Sequence, residues 1–200
     1  MNISDELNKA LEKVASGETK RLMVFLPPRI GKTERVNKRF TSRLLGKRCM
    51  ERESWEGTDE TKPRELRVVV CSYSGELSDR FGRETRDIVL DYRYRNVFPK
   101  AKLKKDRASV SDWALTDGSS YYAVGVGGSL TGMGFDIGII DDPFKNREEA
   151  ESETYRRKVK EWYMSTFHTR RMDSNAAIIV MCTRWHEDDL AGRLLEQQAD

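Results

Sequence analysis

Apolar positions recur along this chain in two rhythms, and their alternation predicts the architecture. Leu7, Ala10, Leu11 and Val14 fall at helical spacing, with Ser4 as N-cap, Asp5 and Glu6 in the first turn where the helix dipole favours acids, and Gly17 as a stop. Residues 22–26 form a short unbroken apolar run, which at that length reads as a buried strand. A stiff turn, residues 27–31, leads into a helix over 32–45 that carries Val36, Phe40 and Leu44 on one face. Residues 46–65 are polar, hold Pro63 and two glycines and show no period, so they read as a surface insertion. A second buried strand follows at 66–71, then a helix marked by Leu77, Phe81, Ile88 and Val89, then a basic irregular link over 93–107. Residues 112–115 and 121–126, separated by TDGSS, read as a hairpin. A glycine-dense loop, VGVGGSLTGMGFD, leads into a third buried strand at 137–140. Tyr155, Val159, Trp162, Tyr163 and Phe167 define a long helix, residues 176–182 a fourth buried strand, and residues 188–198 a closing helix. Buried strands alternating with helices predict an α/β fold, a mostly parallel sheet with helices on both faces.

Composition narrows this only modestly. Two hundred residues suit one domain, and the longest apolar runs are strand-sized, so no membrane span is expected. The first twenty residues lack an apolar block behind a basic start, which predicts no secretory signal and a cytoplasmic location. Cys49, Cys71 and Cys182 are widely spaced and odd in number, the pattern of reduced structural thiols. His168, Cys182 and His186 do not match zinc spacing. With 36 basic against 33 acidic residues the net charge is +3, so a polyanionic partner would have to be met by local patches. The densest is Lys100, Lys102, Lys104, Lys105 and Arg107, which fits DNA phosphates or a solvated linker equally well.

Three segments carry chemistry. PPRIGKTE, comprising Pro27, Pro28, Arg29, Ile30, Gly31, Lys32, Thr33 and Glu34, lies between a buried strand and a helix, the setting of a phosphate-binding loop. Backbone amides there cradle the β-phosphate of ATP, Lys32 neutralises β/γ oxygens, and the Thr33 hydroxyl is placed for Mg²⁺. The usual first glycine of that pattern is replaced by Leu26, and a GKT triplet alone is also what a basic helix start looks like. The second segment ends an apolar strand in paired carboxylates, Asp141 and Asp142. Adjacent like charges at a strand end are costly without a cation or partner. Asp141 then reads as the Mg²⁺ acceptor and Asp142 as the group that orients the attacking water, with a strand end turning into solvent at Pro143 as the plainer alternative. The third is the end of the fourth strand, where Thr183 is placed to sense the γ-phosphate. A strand between the loop strand and the carboxylate strand is the arrangement of additional-strand, RecA-like P-loop NTPases, for which hydrolysis is the expected reaction.

Four blocks in this order, LMVFLPPRIGKTE, VVVCSYSGELSDRFGRETRDIV, YYAVGVGGSLTGMGFDIGIIDDPFKNREEAES and IIVMCTRWHEDDLAGRLLE, resemble the ATPase domain of tailed-phage terminase large subunits over residues 21–196. The resemblance implies a motor that hydrolyses ATP to push double-stranded DNA into a preformed capsid in the host cytoplasm. It further implies a homo-oligomeric ring on the portal protein, a monomer in isolation, and a small terminase subunit as DNA-recognition partner. By the same likeness residues 27–33 are the Walker A loop, Asp141 and Asp142 the Walker B pair, and Thr183 the coupling motif. Many relatives carry Glu where Asp142 stands, so Glu148 or Glu149 is a further candidate base. Relatives also carry a nuclease domain, whose carboxylate cluster has no counterpart after His186, so residues 1–200 are expected to be a single ATPase domain without DNA cleavage.

The arginines leave alternatives. Arg29 is placed either to reach γ-phosphate oxygens from the same subunit or to pair with an acid of the carboxylate strand. Arg80, Arg83 and Arg86 share one helix; the terminase resemblance implies Arg80 or Arg83 as a finger acting on a neighbouring subunit, which competes with a solvated charged face. The glycines of the 125–134 loop precede a strand, which argues against a dinucleotide site and for a DNA-facing or nucleotide-responsive loop. Trp113, Tyr121, Tyr122, Trp162 and Tyr163 sit at core-like spacing. Two other functions fit the same motifs, another P-loop translocase such as a helicase core, and a nucleotide-dependent binding switch without hydrolysis.

Overall fold

The computed structural model describes residues 2–27 and 29–199, and for residues 198 and 199 the backbone alone. Seven strands form one sheet in the order β1-β7-β6-β2-β5-β4-β3. The parallel body consists of β1 (Arg21–Phe25), β7 (Ala177–Cys182), β6 (Ile137–Asp141), β2 (Arg67–Ser72) and β5 (Ser120–Gly125). β4 (Asp112–Leu115) joins β5 antiparallel, as the hairpin reading requires, and β3 (Leu103–Ala108) joins β4 antiparallel at the edge.

Alternation along each strand divides the core between the two faces of the sheet. Val68 and Val70 of β2, Ile137 and Ile139 of β6 and Ile179 and Met181 of β7 belong to one cluster. That cluster is closed by α1 (Ile3–Ala15), α2 (Thr41–Glu53), α3 (Gly75–Leu90) and α4 (Tyr92–Val97), through Leu11, Leu45, Phe81 and Tyr94, and by Phe40 just before α2. Val69, Cys71, Ile140, Ile178 and Val180 face the other way. They pack against Ala150 of α5 (Arg147–Glu151), Val159 and Trp162 of α6 (Glu153–Trp162), Phe167, and Leu190 of α7 (Leu190–Ala199). Two-sided coverage is why these strands read as unbroken apolar runs in place of alternating ones.

Several boundaries differ from the sequence-based expectation, each for a local reason. The N-cap of α1 is Asn2, whose side chain accepts from the Ser4 amide, so Ser4 lies inside the helix. The second helix does not stop at Leu45. It begins as a π-helical segment, Glu34–Phe40, and continues as α2 to Glu53, so the first part of the expected 46–65 surface insertion is helical and includes buried Cys49. Gly46 is there for closeness: a Cβ would run into the Tyr94 hydroxyl and lie 2.7 Å from the Phe98 ring. The basic link over 93–107 is also structured, since α4 and β3 both fall within it. The long helix expected to reach Phe167 does so as α6 followed by a π-helical turn at Tyr163–Phe167, and a separate short helix, α5, precedes it.

Candidate functional site

The C-terminal ends of β1, β7 and β6 are neighbours, which is where open parallel sheets hold their ligands. β7 lies between the loop strand β1 and the carboxylate strand β6, as the additional-strand arrangement requires. This geometry brings Lys32, Thr33, Asp141, Asp142 and Thr183 together from three separate parts of the chain.

Lys32 is almost fully buried, and its Nζ donates to Asp142 Oδ1 at 2.7 Å and to Thr183 Oγ1 at 3.0 Å. The same Asp142 oxygen accepts from the Thr183 amide at 2.9 Å, so one carboxylate oxygen joins the loop to both neighbouring strands. Thr33 Oγ1 donates to Asp141 Oδ2 at 2.7 Å. A residue that motif reading missed, Asn37, donates to that same Oδ2 from Nδ2 at 2.7 Å. The signal for it in the sequence is its place four residues after Thr33, on the same side of the turn.

The two acids differ in environment. Asp142 has a side chain about a third exposed, at 32%, whereas Asp141 is buried at 1%. Burial pushes the Asp141 carboxyl up to about 7; the Thr33 hydrogen bond opposes this, the negative charge of Asp142 adds to it, and Lys32 and Asn37 oppose it further. Asp141 Oδ1 is buried and has no hydrogen-bond partner. An orphaned buried carboxylate oxygen is costly unless something outside the chain occupies it. A divalent cation ligated by Asp141 would offset that cost, with the Thr33 hydroxyl beside the same carboxylate, and an anionic group fits Lys32.

Backbone strain is confined to this end of the sheet. Among the described residues the non-glycine positions with positive φ are Arg29, at 68°, and Asp142, at 48°. Each costs on the order of 1–2 kcal/mol for an L-residue, less for Asp, and such strain concentrates at functional sites. Asp142 is fixed there because its amide donates to Met181 O at 2.9 Å and its carbonyl accepts from the Tyr73 amide at 3.2 Å. Gly31 supplies the remaining left-handed position of the loop, at 81°, and its carbonyl accepts the first helical bond, from the Arg35 amide at 3.0 Å.

Other expected residues lie further from this centre. Arg29 and Ile30 are exposed, and Arg29 forms no ion pair among the described residues, which removes the reading in which it pairs with an acid of β6. Pro27 is exposed; Pro28 lies outside the described residues. Glu34 pairs with Lys38 at 2.9 Å and Arg39 at 3.0 Å, away from the carboxylate pair. Glu149 accepts from the Lys145 amide at 2.8 Å, closing the turn after β6, and Glu148 is exposed on α5. Arg80 pairs with Glu84 at 2.9 Å, Arg83 is exposed beside it, and both line an open concavity with Tyr73, Ser74 and Asp79. Arg86 donates to Ala108 O at 2.6 Å and so ties α3 to β3.

The sequence model of the family described as terminase large subunit, T4likevirus-type, N-terminal, matches residues 23–199. No curated protein matches the chain. Among solved structures, the crystal structure of the HK97 bacteriophage large terminase aligns with a TM-score of 0.58 at 14% identity, covering 100% of this chain and 37% of that one. At that identity the likeness establishes the fold alone, an α/β architecture, and the chain spans 37% of the length of that relative.

Proposed function

Because the chain belongs to the terminase large-subunit family, we propose that it binds and hydrolyses ATP, and that hydrolysis drives double-stranded DNA into a viral procapsid. The observation that carries this reading is the juxtaposition of Lys32 with two unequal acids, one of them holding a buried, unpartnered oxygen. Lys32 takes the β/γ-phosphate oxygens, exchanging Asp142 Oδ1 for the nucleotide, and the amides of residues 30–33 hold the phosphate chain. Release from Lys32 frees Asp142 to orient the attacking water, while Thr183, bonded to both groups, reports their separation along β7. A bound Mg²⁺ would supply neutralisation of the charge that develops on the phosphate oxygens. Thr33 and Asp141 are the residues that would hold it. Arg29, exposed and strained at the mouth of the loop, is the candidate for γ-phosphate contact in the same subunit, and Arg80 or Arg83 for contact with a neighbouring one.

The wider assignments rest on the family. The chain acts as a single ATPase domain, monomeric alone and ring-forming on the portal protein, with DNA and the small terminase subunit as partners in the host cytoplasm. Cleavage of DNA is not part of the proposed activity.

Single-turnover hydrolysis of radiolabelled ATP tests the core of this reading. Lys32→Ala should lose nucleotide affinity and reduce kcat/KM by about 10²–10³-fold, as for loss of one preorganised donor. Asp142→Asn should still bind Mg·ATP and turn it over about 10²–10⁴-fold more slowly, the scale of a general-base contribution. Tight binding with no phosphate release by the wild type at any protein concentration would replace hydrolysis with a binding switch.

A further inference from the structure

Asn37 belongs to no part of the phosphate-loop pattern, yet it is completely buried beside the carboxylate pair. Its amide nitrogen and the Thr33 hydroxyl both donate to Oδ2 of Asp141, each at 2.7 Å. Two donors on one oxygen fix the rotation of the carboxylate about its terminal bond. The other oxygen, Oδ1, is left buried and unpartnered, the one atom of that group able to accept a further ligand.

Asn37 is itself held firmly. It lies in the middle of the π-helical segment Glu34–Phe40, and widened turns of this kind recur at functional sites. Its backbone carbonyl accepts from the Thr41 hydroxyl and, at 3.4 Å, from the Thr85 hydroxyl of α3. Two helices therefore place one amide against one carboxylate oxygen. The arrangement has a cost that simple packing does not explain, because Asn37 Oδ1 is also buried without a partner, a penalty that an apolar side chain of similar volume would avoid. Against the ionised Asp141 the side chain can face only through its nitrogen, since turning the amide would set oxygen against oxygen.

We propose that Asn37 is a positioning residue of the nucleotide's metal site, holding Asp141 so that Oδ1 is the oxygen presented to Mg²⁺. The inference rests on the hydrolysis reading above and adds to it a residue outside the loop and strand motifs. Groups behind metal ligands typically change metal affinity by about 10–100-fold when removed.

The test uses the full chain with Mn²⁺ as a paramagnetic probe. Mn²⁺ binding is measured by electron paramagnetic resonance with a non-hydrolysable ATP analogue present, and affinity for a fluorescent ADP is measured separately in EDTA. Asn37→Leu, which keeps the volume and removes the donor, should weaken Mn²⁺ binding about 10–100-fold while metal-free nucleotide affinity stays at the wild-type value, because Lys32 and the loop amides are untouched. Unchanged Mn²⁺ affinity overturns the proposal, and so does an equal fall in both affinities, the mark of a residue that only supports the loop. Should Asn37→Leu not unfold cooperatively, Asn37→Ser, too short to reach Asp141 and unable to overpack, must show the same split. A wild-type chain that binds neither Mn²⁺ nor nucleotide sinks the hydrolysis reading and the inference with it. A wild type that binds both, with Asn37 variants indistinguishable from it, sinks the inference alone.

Discussion

The two halves of the sheet treat charge in opposite ways. Around β1, β7 and β6 the core admits Lys32, Asn37 and Asp141, all 5% exposed or less, and tolerates left-handed backbone at Asp142. Across β5, β4 and β3 the buried side chains include Trp113, Leu115 and Tyr121, each at 0%, while Lys104, Lys105 and Asp106 stand in solvent. The Tyr121 hydroxyl is buried there without a partner, but it is uncharged and its backbone is unstrained. One end of the molecule leaves a buried carboxylate oxygen without a partner; the other answers its buried acid from within the chain, where Arg52 pairs with Asp117 at 3.3 Å. Strained backbone and an unpartnered carboxylate oxygen thus mark where the sheet works, and apolar packing marks where it supports.

The supporting half should be breakable without touching the other. Trp113 stacks on Tyr121 with ring centroids 5.1 Å apart and an interplanar angle of 5°, and its Nε1 donates to Gly82 O at 3.2 Å. Trp113→Ala should lower the unfolding free energy in urea by about 3–5 kcal/mol, the range for truncating a large buried aromatic. Nucleotide affinity of the protein that remains folded should not move. A parallel loss of Mg·ATP affinity would mean that α3, which touches both Trp113 and Asn37, couples the two halves.

The same contrast explains what is legible in the sequence. Lys32, Asp141, Asp142 and Thr183 can be read because each follows or ends an apolar run, and strand ends in a parallel sheet converge on one crevice. Asn37 is far harder to read: its spacing from Thr33 is a faint signal, while as one of three polar residues between Val36 and Phe40 it looks like the solvent side of an amphipathic helix, and no periodicity announces a π-helical turn. β3 is hidden for the converse reason. An edge strand that exposes Lys104, Lys105 and Asp106 has no burial alternation to detect, so its basic residues read as a link. Gly46 misleads because a glycine in a polar stretch suggests a break, whereas here it admits the Tyr94 and Phe98 rings. The fold class stays legible through these differences because four apolar runs each become a strand of the parallel body.

Titration offers a gentler perturbation of the charged half. Asp141 has its pKa raised to about 7, so the folded state holds that proton more tightly than the unfolded chain, where an Asp titrates near about 3.9. Its contribution to stability is therefore most favourable below about pH 4 and is lost as pH rises through about 7. Asp188 runs the other way. Its hydrogen bond to Arg193 holds it at about 2, so its contribution is present at neutral pH and lost on acidification through that value. Subtracting variants isolates the first effect. Without nucleotide, Asp141→Asn should become more stable than wild type by about 1–3 kcal/mol above pH 7, the usual cost of a buried polar atom without a partner, and the gap should close towards pH 4. Urea melts across that range measure it. A gap that does not change with pH would mean that Asp141 is not carrying a buried charge, and saturating Mg·ATP should narrow the gap by stabilising the wild type more than the variant.

The smallest effect belongs to the solvated flank, where it decides between two meanings of the same lysines. Lys104 and Lys105 lie on β3, the outer strand of the sheet, and charged edges are a common defence against pairing with another chain. Replacing both with Thr should leave stability within about 0.5 kcal/mol, because neither side chain is buried. If the lysines guard the edge, the variant associates in a concentration-dependent way that sedimentation velocity detects, and its affinity for double-stranded DNA is unchanged. If they neutralise phosphates, DNA affinity falls uniformly across sequences and the slope of log affinity against log salt shrinks by about 0.9 for each phosphate no longer neutralised. The stacking of Trp113 on Tyr121 behind an otherwise charged edge favours the first outcome, since the left-handed non-glycine backbone and the unpartnered carboxylate oxygen that mark a binding site both lie at the other end of the sheet.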